Sequence, residues 1–119
     1  MEIWKAFTLE SAHRLPNVPP GHKCGQPHGH SYVVEVRLKA PVHPRMGWVR
    51  DFGDVSAACR PLIDGLDHRV LNEIEGLENP TSENLARWIW REVAPALPGL
   101  SKVVVRETCT SGCVYEGPG

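Results

Sequence analysis

An α+β domain with the element order ββααββ is predicted by three observations. The first third is β-rich and broken by one long Pro/Gly loop, the middle carries two amphipathic helical stretches, and a β-branched run closes the chain. The 119 residues suit one domain, residues 1–119, and a 41% hydrophobic content with 11 Gly and 11 Pro describes a turn-rich core rather than a disordered chain. Thirteen basic against fourteen acidic side chains leave a net charge of −1, so no overall field recruits nucleic acid or an anionic membrane surface. No apolar stretch nears the roughly 18 residues of a membrane span. Met1-Glu2-Ile3-Trp4-Lys5 also lacks the design of a secretory leader, and a cytoplasmic location is expected. Cys24, Cys59, Cys109 and Cys113 fit no CxxC pair, so no disulfide framework is expected there.

The elements follow in order. Residues 2 to 14 mix Ile3, Trp4, Phe7 and Thr8 with polar residues and read as a strand. From Pro16 to Pro27 six of twelve residues are Pro or Gly, an irregular loop long enough to suggest function. His28 to Lys39 alternates Val34, Val36 and Leu38 with Glu35, Arg37 and Lys39, the pattern of a half-buried strand. After a turn at Pro41 to Gly47, Asp51 or Asp54 can cap a helix with Val55, Ala58, Cys59 and Leu62 on one stripe and a kink expected at Pro61. Thr81 or Ser82 caps a second helix with Leu85, Trp88, Ile89 and Val93 inside and a Glu83–Arg87 pair outside, ended by Pro95 and Pro98. The tail reads as a hairpin turning around Thr110-Ser111-Gly112, with Cys109 and Cys113 as filler and Cys59 in the core.

His28 and His30 stand two apart on a strand, so both imidazoles leave one face. If the first two strands pair antiparallel around the long loop, His13 reaches the same face. Three neutral imidazoles with a position left open for water or a substrate oxygen is how catalytic zinc is commonly held, whereas structural zinc usually has four protein ligands. His22 and His43 lie in Pro-rich loops without partners and read as solvated loop residues.

Cys24, beside Lys23 in the Gly/Pro loop, is placed to act as a thiolate base or nucleophile, or else simply fills the loop. In Asp67-His68 the carboxylate can fix the tautomer of a proton-transferring imidazole, or cap a turn. Glu107 ends a Val-rich strand ahead of Thr108; partly buried, it needs donors, which a guanidine-like edge or Arg106 of another subunit would offer.

Taken together, CGQPHGH, LDHRVLN, GLENPTSENLARWIW and ETCTSGCVY resemble the 6-pyruvoyl-tetrahydropterin synthase superfamily over nearly the whole chain. The spacing Cys24-x-x-x-His28-x-His30 resembles its bacterial 6-carboxy-5,6,7,8-tetrahydropterin synthase branch rather than the pyruvoyl enzymes. The resemblance implies the tunnelling fold (T-fold): a four-stranded antiparallel sheet with two helices on one face, assembled as a homohexamer, a dimer of trimers, with active sites between subunits. It implies Zn2+ on His13, His28 and His30, Cys24 as the catalytic thiol, Asp67 and His68 as the acid/base pair, and Glu107 with Thr108 on the substrate. The reaction implied converts 7,8-dihydroneopterin 3′-triphosphate to 6-carboxy-5,6,7,8-tetrahydropterin, acetaldehyde and triphosphate, toward queuosine and other 7-deazaguanines. Lys23 and Arg14 are candidates for the triphosphate. The alternatives are a 6-pyruvoyl-tetrahydropterin synthase, which eliminates triphosphate only, and a non-catalytic zinc- or pterin-binding domain.

Overall fold

The computed structural model describes residues 1–108 and 110–118; Cys109, expected as hairpin filler, lies outside the described residues. The chain runs β1 (Glu2–His13), β2 (His28–Lys39), α1 (Phe52–Leu66), α2 (Ser82–Val93), β3 (Leu100–Glu107) and β4 (Ser111–Tyr115), in the expected ββααββ order. The strands form one antiparallel sheet in the order β1-β2-β3-β4. Among the described residues no helix is long and apolar enough to cross a membrane.

Period-two alternation supplies the core. Phe7 and Leu9 of β1, Tyr32, Val34, Val36 and Leu38 of β2, and Val103 and Val105 of β3 are all buried. They meet Val55, Cys59, Ile63 and Leu66 of α1 and Leu85, Ala86, Ile89 and Val93 of α2. Each large aliphatic side chain so buried contributes about 1.5–3 kcal/mol before entropy is counted. α1 packs mainly on β1, and α2 on β3 and β4.

Both helices start where a side chain satisfies a free amide. Asp51 Oδ1 accepts from the Gly53 N–H at 2.8 Å, and Thr81 Oγ1 from the Asn84 N–H at 3.1 Å. The α1 stripe differs from the expected one, since Ile63 and Leu66 are buried while Ala58 and Leu62 only pack at its margin. Continuation to Leu66 despite the exposed Pro61 carries the apolar seam one turn further than a stop at Leu62 would. Trp88 is likewise marginal in α2, Ala86 taking a core position, and no Glu83–Arg87 ion pair forms among the described residues.

The last hairpin turns earlier than expected. Ser111 and Gly112 belong to β4, with Gly112 opposite Arg106. A Cβ on Gly112 would lie 2.4 Å from the Val105 carbonyl oxygen, so this glycine serves close backbone approach within the ladder rather than the turn. Gly112→Ala should therefore lower stability by about 1–3 kcal/mol, the cost of forcing an added methyl into packed structure. Urea unfolding of the purified protein reads this directly.

Candidate active site

The face of β1 that meets the helices changes character along its length: Phe7 and Leu9 give way to Ser11 and His13, and all four are buried. The register sets His13 opposite His28 and Ser11 opposite His30, while Tyr32 stands opposite Glu107 on β3. The same alternation that fills the core thus gathers His13, His28, His30 and Glu107 at one end of the sheet.

The three imidazoles stand edge to face, with ring centroids 4.5, 4.8 and 4.9 Å apart. Each uses its Nδ1 outward. His13 Nδ1 lies 2.8 Å from the Pro80 carbonyl oxygen, His28 Nδ1 2.7 Å from the Gln26 carbonyl oxygen, and His30 Nδ1 2.9 Å from Thr108 Oγ1. A carbonyl oxygen only accepts, so His13 and His28, when neutral, carry their single proton on Nδ1 and leave Nε2 as a bare lone pair. Those two Nε2 atoms are 2.9 Å apart. Two lone pairs at that distance repel unless a cation lies between them. Ligating atoms of all three histidines fall within 4.8 Å of one another. Back-side acceptors that fix the tautomer are the usual surroundings of metal-bound histidines. The residues therefore fit a zinc ion bound by three imidazoles, with room for a fourth ligand.

Burial pushes the His13 imidazole below its ordinary pKa, despite the opposing Pro80 hydrogen bond, and so favours the neutral form that binds metal. Tyr32, two residues beyond His30 on the same face, is buried with its hydroxyl 3.2 Å from His13 Nδ1. Burial pushes that hydroxyl far above its ordinary range and keeps it protonated. Its place in the series 28, 30, 32 was a usable signal, whereas nothing local in sequence pointed to the Pro80 or Gln26 carbonyls.

Two clefts flank the imidazoles. One, of about 590 Å³, is lined by all three histidines with Lys23, Cys24, Ser82 and Glu107. Glu107 Oε1 is 3.8 Å from both His13 Nε2 and His30 Nε2, and the carboxylate makes no hydrogen bond among the described residues. Arg106, considered as its partner from another subunit, points to the opposite sheet face within this chain and pairs with Glu35 at 3.0 Å. The buried Ser82 hydroxyl also lacks a partner among the described residues. Cys24 sits half-buried as a free thiol in a single 3-10 turn, where the Cys24 N–H donates to His22 Nδ1 at 3.0 Å. His22 and His43 thus have local duties, His43 Nδ1 accepting from the Arg45 and Met46 amides. Arg14 is exposed and ties its backbone to Asn72.

The second cleft, of about 530 Å³, is lined by Glu10, His30, Ser31, His68, Arg69 and Thr108 among others. His68 takes φ 57°, a left-handed turn that brings adjacent side chains together, so its Nδ1 lies 3.0 Å from Asp67 Oδ2. The Glu10 amide bond to Asp67 Oδ1, with help from His68, holds the Asp67 carboxyl below its ordinary pKa. Cys24 and His68 therefore line different clefts of one chain, joined through His30. Thr108 places its hydroxyl on His30.

The family profile described as 6-pyruvoyl tetrahydropterin synthase matches residues 2–118. A 6-carboxy-5,6,7,8-tetrahydropterin synthase of Synechocystis sp. is 44% identical, with 98% of this chain and 93% of that protein covered. A 6-pyruvoyl tetrahydrobiopterin synthase of Dictyostelium discoideum is 34% identical over 80% of this chain and 74% of its own. The structure of Caenorhabditis elegans 6-pyruvoyl tetrahydropterin synthase superposes with TM-score 0.91 at 27% identity, covering 99% and 96% of the two chains.

A base whose folded pKa is depressed is protonated first in the unfolded chain, so its contribution to stability is whole above the unfolded value and shrinks as pH falls. For His13, with an ordinary value of 6.5, metal-free protein should lose stability as pH drops below about 6.5. His13→Gln should flatten that part of the profile in urea unfolding from pH 7.5 to 5.

Proposed function

Because the chain belongs to the 6-pyruvoyl tetrahydropterin synthase family, a family of pterin-forming lyases whose T-fold it shares, we propose that it acts as a zinc-dependent 6-carboxy-5,6,7,8-tetrahydropterin synthase. The substrates are 7,8-dihydroneopterin 3′-triphosphate and one water, and the products are the carboxypterin, acetaldehyde and triphosphate, toward queuosine or another 7-deazaguanine. The observation that carries this reading is the convergence of three imidazoles, with the Nδ1 of His13 and His28 set on main-chain carbonyls, on a cleft that also holds Cys24 and Glu107. The likeness to the Synechocystis protein and the short Cys24-to-His28 spacing favour the carboxy branch.

His13, His28 and His30 would hold the zinc ion, which would supply Lewis acidity toward the side-chain oxygens of the pterin. The remaining work falls to the protein. Glu107, with no hydrogen bond of its own among the described residues, accepts adjacent N–H donors of the ring and fixes the side chain relative to the imidazoles. Thr108 completes this end of the site. Cys24 moves a proton on one side of the reacting carbons. His68, its Nδ1 held by Asp67, moves a proton at Nε2 on the other. Lys23 on the cleft, with Arg14 nearby in sequence, offers cations to the triphosphate.

Since Cys24 and the Asp67–His68 pair line different clefts, a single chain does not enclose both around one substrate. A homohexamer with sites between subunits fits this division. Residues 1–119 then act as one catalytic domain in the cytoplasm, with no part for nucleic acid or membrane.

Mass spectrometry of zinc-loaded protein incubated with 7,8-dihydroneopterin triphosphate should find both carboxypterin and acetaldehyde. Cys24→Ala should keep zinc and fold but lose turnover by about 10²-fold or more, the usual worth of a positioned proton-transfer group. His28→Ala should lose zinc. Triphosphate release with a pyruvoyl pterin and no acetaldehyde would establish instead the activity named for the Dictyostelium relative.

A further inference from the structure

Thr108 takes φ 34°, in the left-handed region where a β-branched residue is a genuine outlier. Glycine or asparagine would make such a turn at less cost. Two bonds hold threonine there. The Thr108 amide donates to the Ser31 carbonyl at 2.8 Å, extending the β2–β3 ladder one step past Glu107, and Thr108 Oγ1 lies 2.9 Å from His30 Nδ1. Strain of this kind persists where the surroundings over-determine a position, and it concentrates at functional sites. His30 is also the exception among the three imidazoles. His13 and His28 have their back nitrogens fixed by main-chain carbonyls, but His30 relies on a side chain.

We infer that Thr108 is a positioning residue of the metal centre: its hydroxyl accepts the His30 Nδ1–H, keeps the proton off Nε2, and fixes the third imidazole edge to face with its two partners. This assigns Thr108 to the ligand rather than to a direct contact with the substrate, and it rests on the zinc reading above. A hydroxyl can accept where a methyl cannot, so threonine and valine, nearly equal in shape, differ here in one respect only.

The test measures zinc affinity of the full chain by competition with a chromophoric chelator, alongside circular dichroism and binding of biopterin to the zinc-saturated protein. Thr108→Val should weaken zinc binding by about 10–100-fold, the usual effect of losing a partner behind a metal ligand, while Thr108→Ser stays near the unsubstituted value. Should Thr108→Val misfold, Thr108→Gly removes the hydroxyl and relaxes the backbone, and it is expected to fold yet show the same loss. Zinc affinity unchanged in Thr108→Val or Thr108→Gly overturns the inference, as does a loss of biopterin binding without a loss of zinc affinity. If the unsubstituted chain binds no zinc, both this inference and the zinc reading fall; if only the variants match it, this inference falls alone.

Discussion

The register between β1 and β2 is the constraint on which the site depends. A slip of one residue would turn every β1 side chain to the other face, sending Phe7 and Leu9 out of the core and His13 away from His28 and His30. The apolar end of the hairpin prevents this, because Phe7 sits opposite Val34 and Leu9 opposite Tyr32, and all four are buried. Hydrophobic burial at one end thus sets the positions of nitrogen atoms at the other. No residue near the imidazoles has to enforce the pairing itself.

Position on the sheet is only half of what a ligand needs, since an imidazole also has two faces and two tautomers. Here the start of α2 contributes through backbone: Thr81 caps the helix, and the preceding Pro80, buried and unable to donate, presents its carbonyl to His13. A structural cap and the proton position of the His13 imidazole are thereby settled by the same few residues. Loosening the α2 entry would disturb the chemistry of His13 as well as the packing of Leu85.

What could be read from sequence follows from range. Strand alternation from His28 to Lys39 and the helical stripe from Leu85 to Val93 are local periodicities, and they led to the sheet, both helices and the shared face of His28 and His30. The hairpin turn was misplaced because Gly112 looks like a turn residue, while its reason for being glycine is a carbonyl on the neighbouring strand. The expected α1 stripe ended at Leu62 because it covered two turns of i, i+3, i+4, i+7 spacing, whereas Ile63 and Leu66 join the core through tertiary contacts. In the site, Cys24, Glu107 and the three histidines could be singled out as residue types at suggestive spacings. The Nδ1 acceptors could not, since a main-chain carbonyl leaves no mark in a sequence. Nor could the separation of Cys24 from His68 into two clefts, which depends on how α1 ends against β1.

That ending has a consequence for the outline of the sheet. The Ala12 amide donates to the Arg69 carbonyl, the His68 amide to the Glu10 carbonyl, and the Glu10 amide to Asp67, so the segment after α1 is laced along the outer edge of β1 from residue 10 onward. An edge strand with open amides and carbonyls is a template for further pairing. On β1 that template is shortened at the imidazole end of the molecule itself. Any strand that extends this sheet from the β1 side must pair with the stretch from Glu2 to Thr8, which fixes where along the edge growth can occur and leaves the imidazole end beyond its reach.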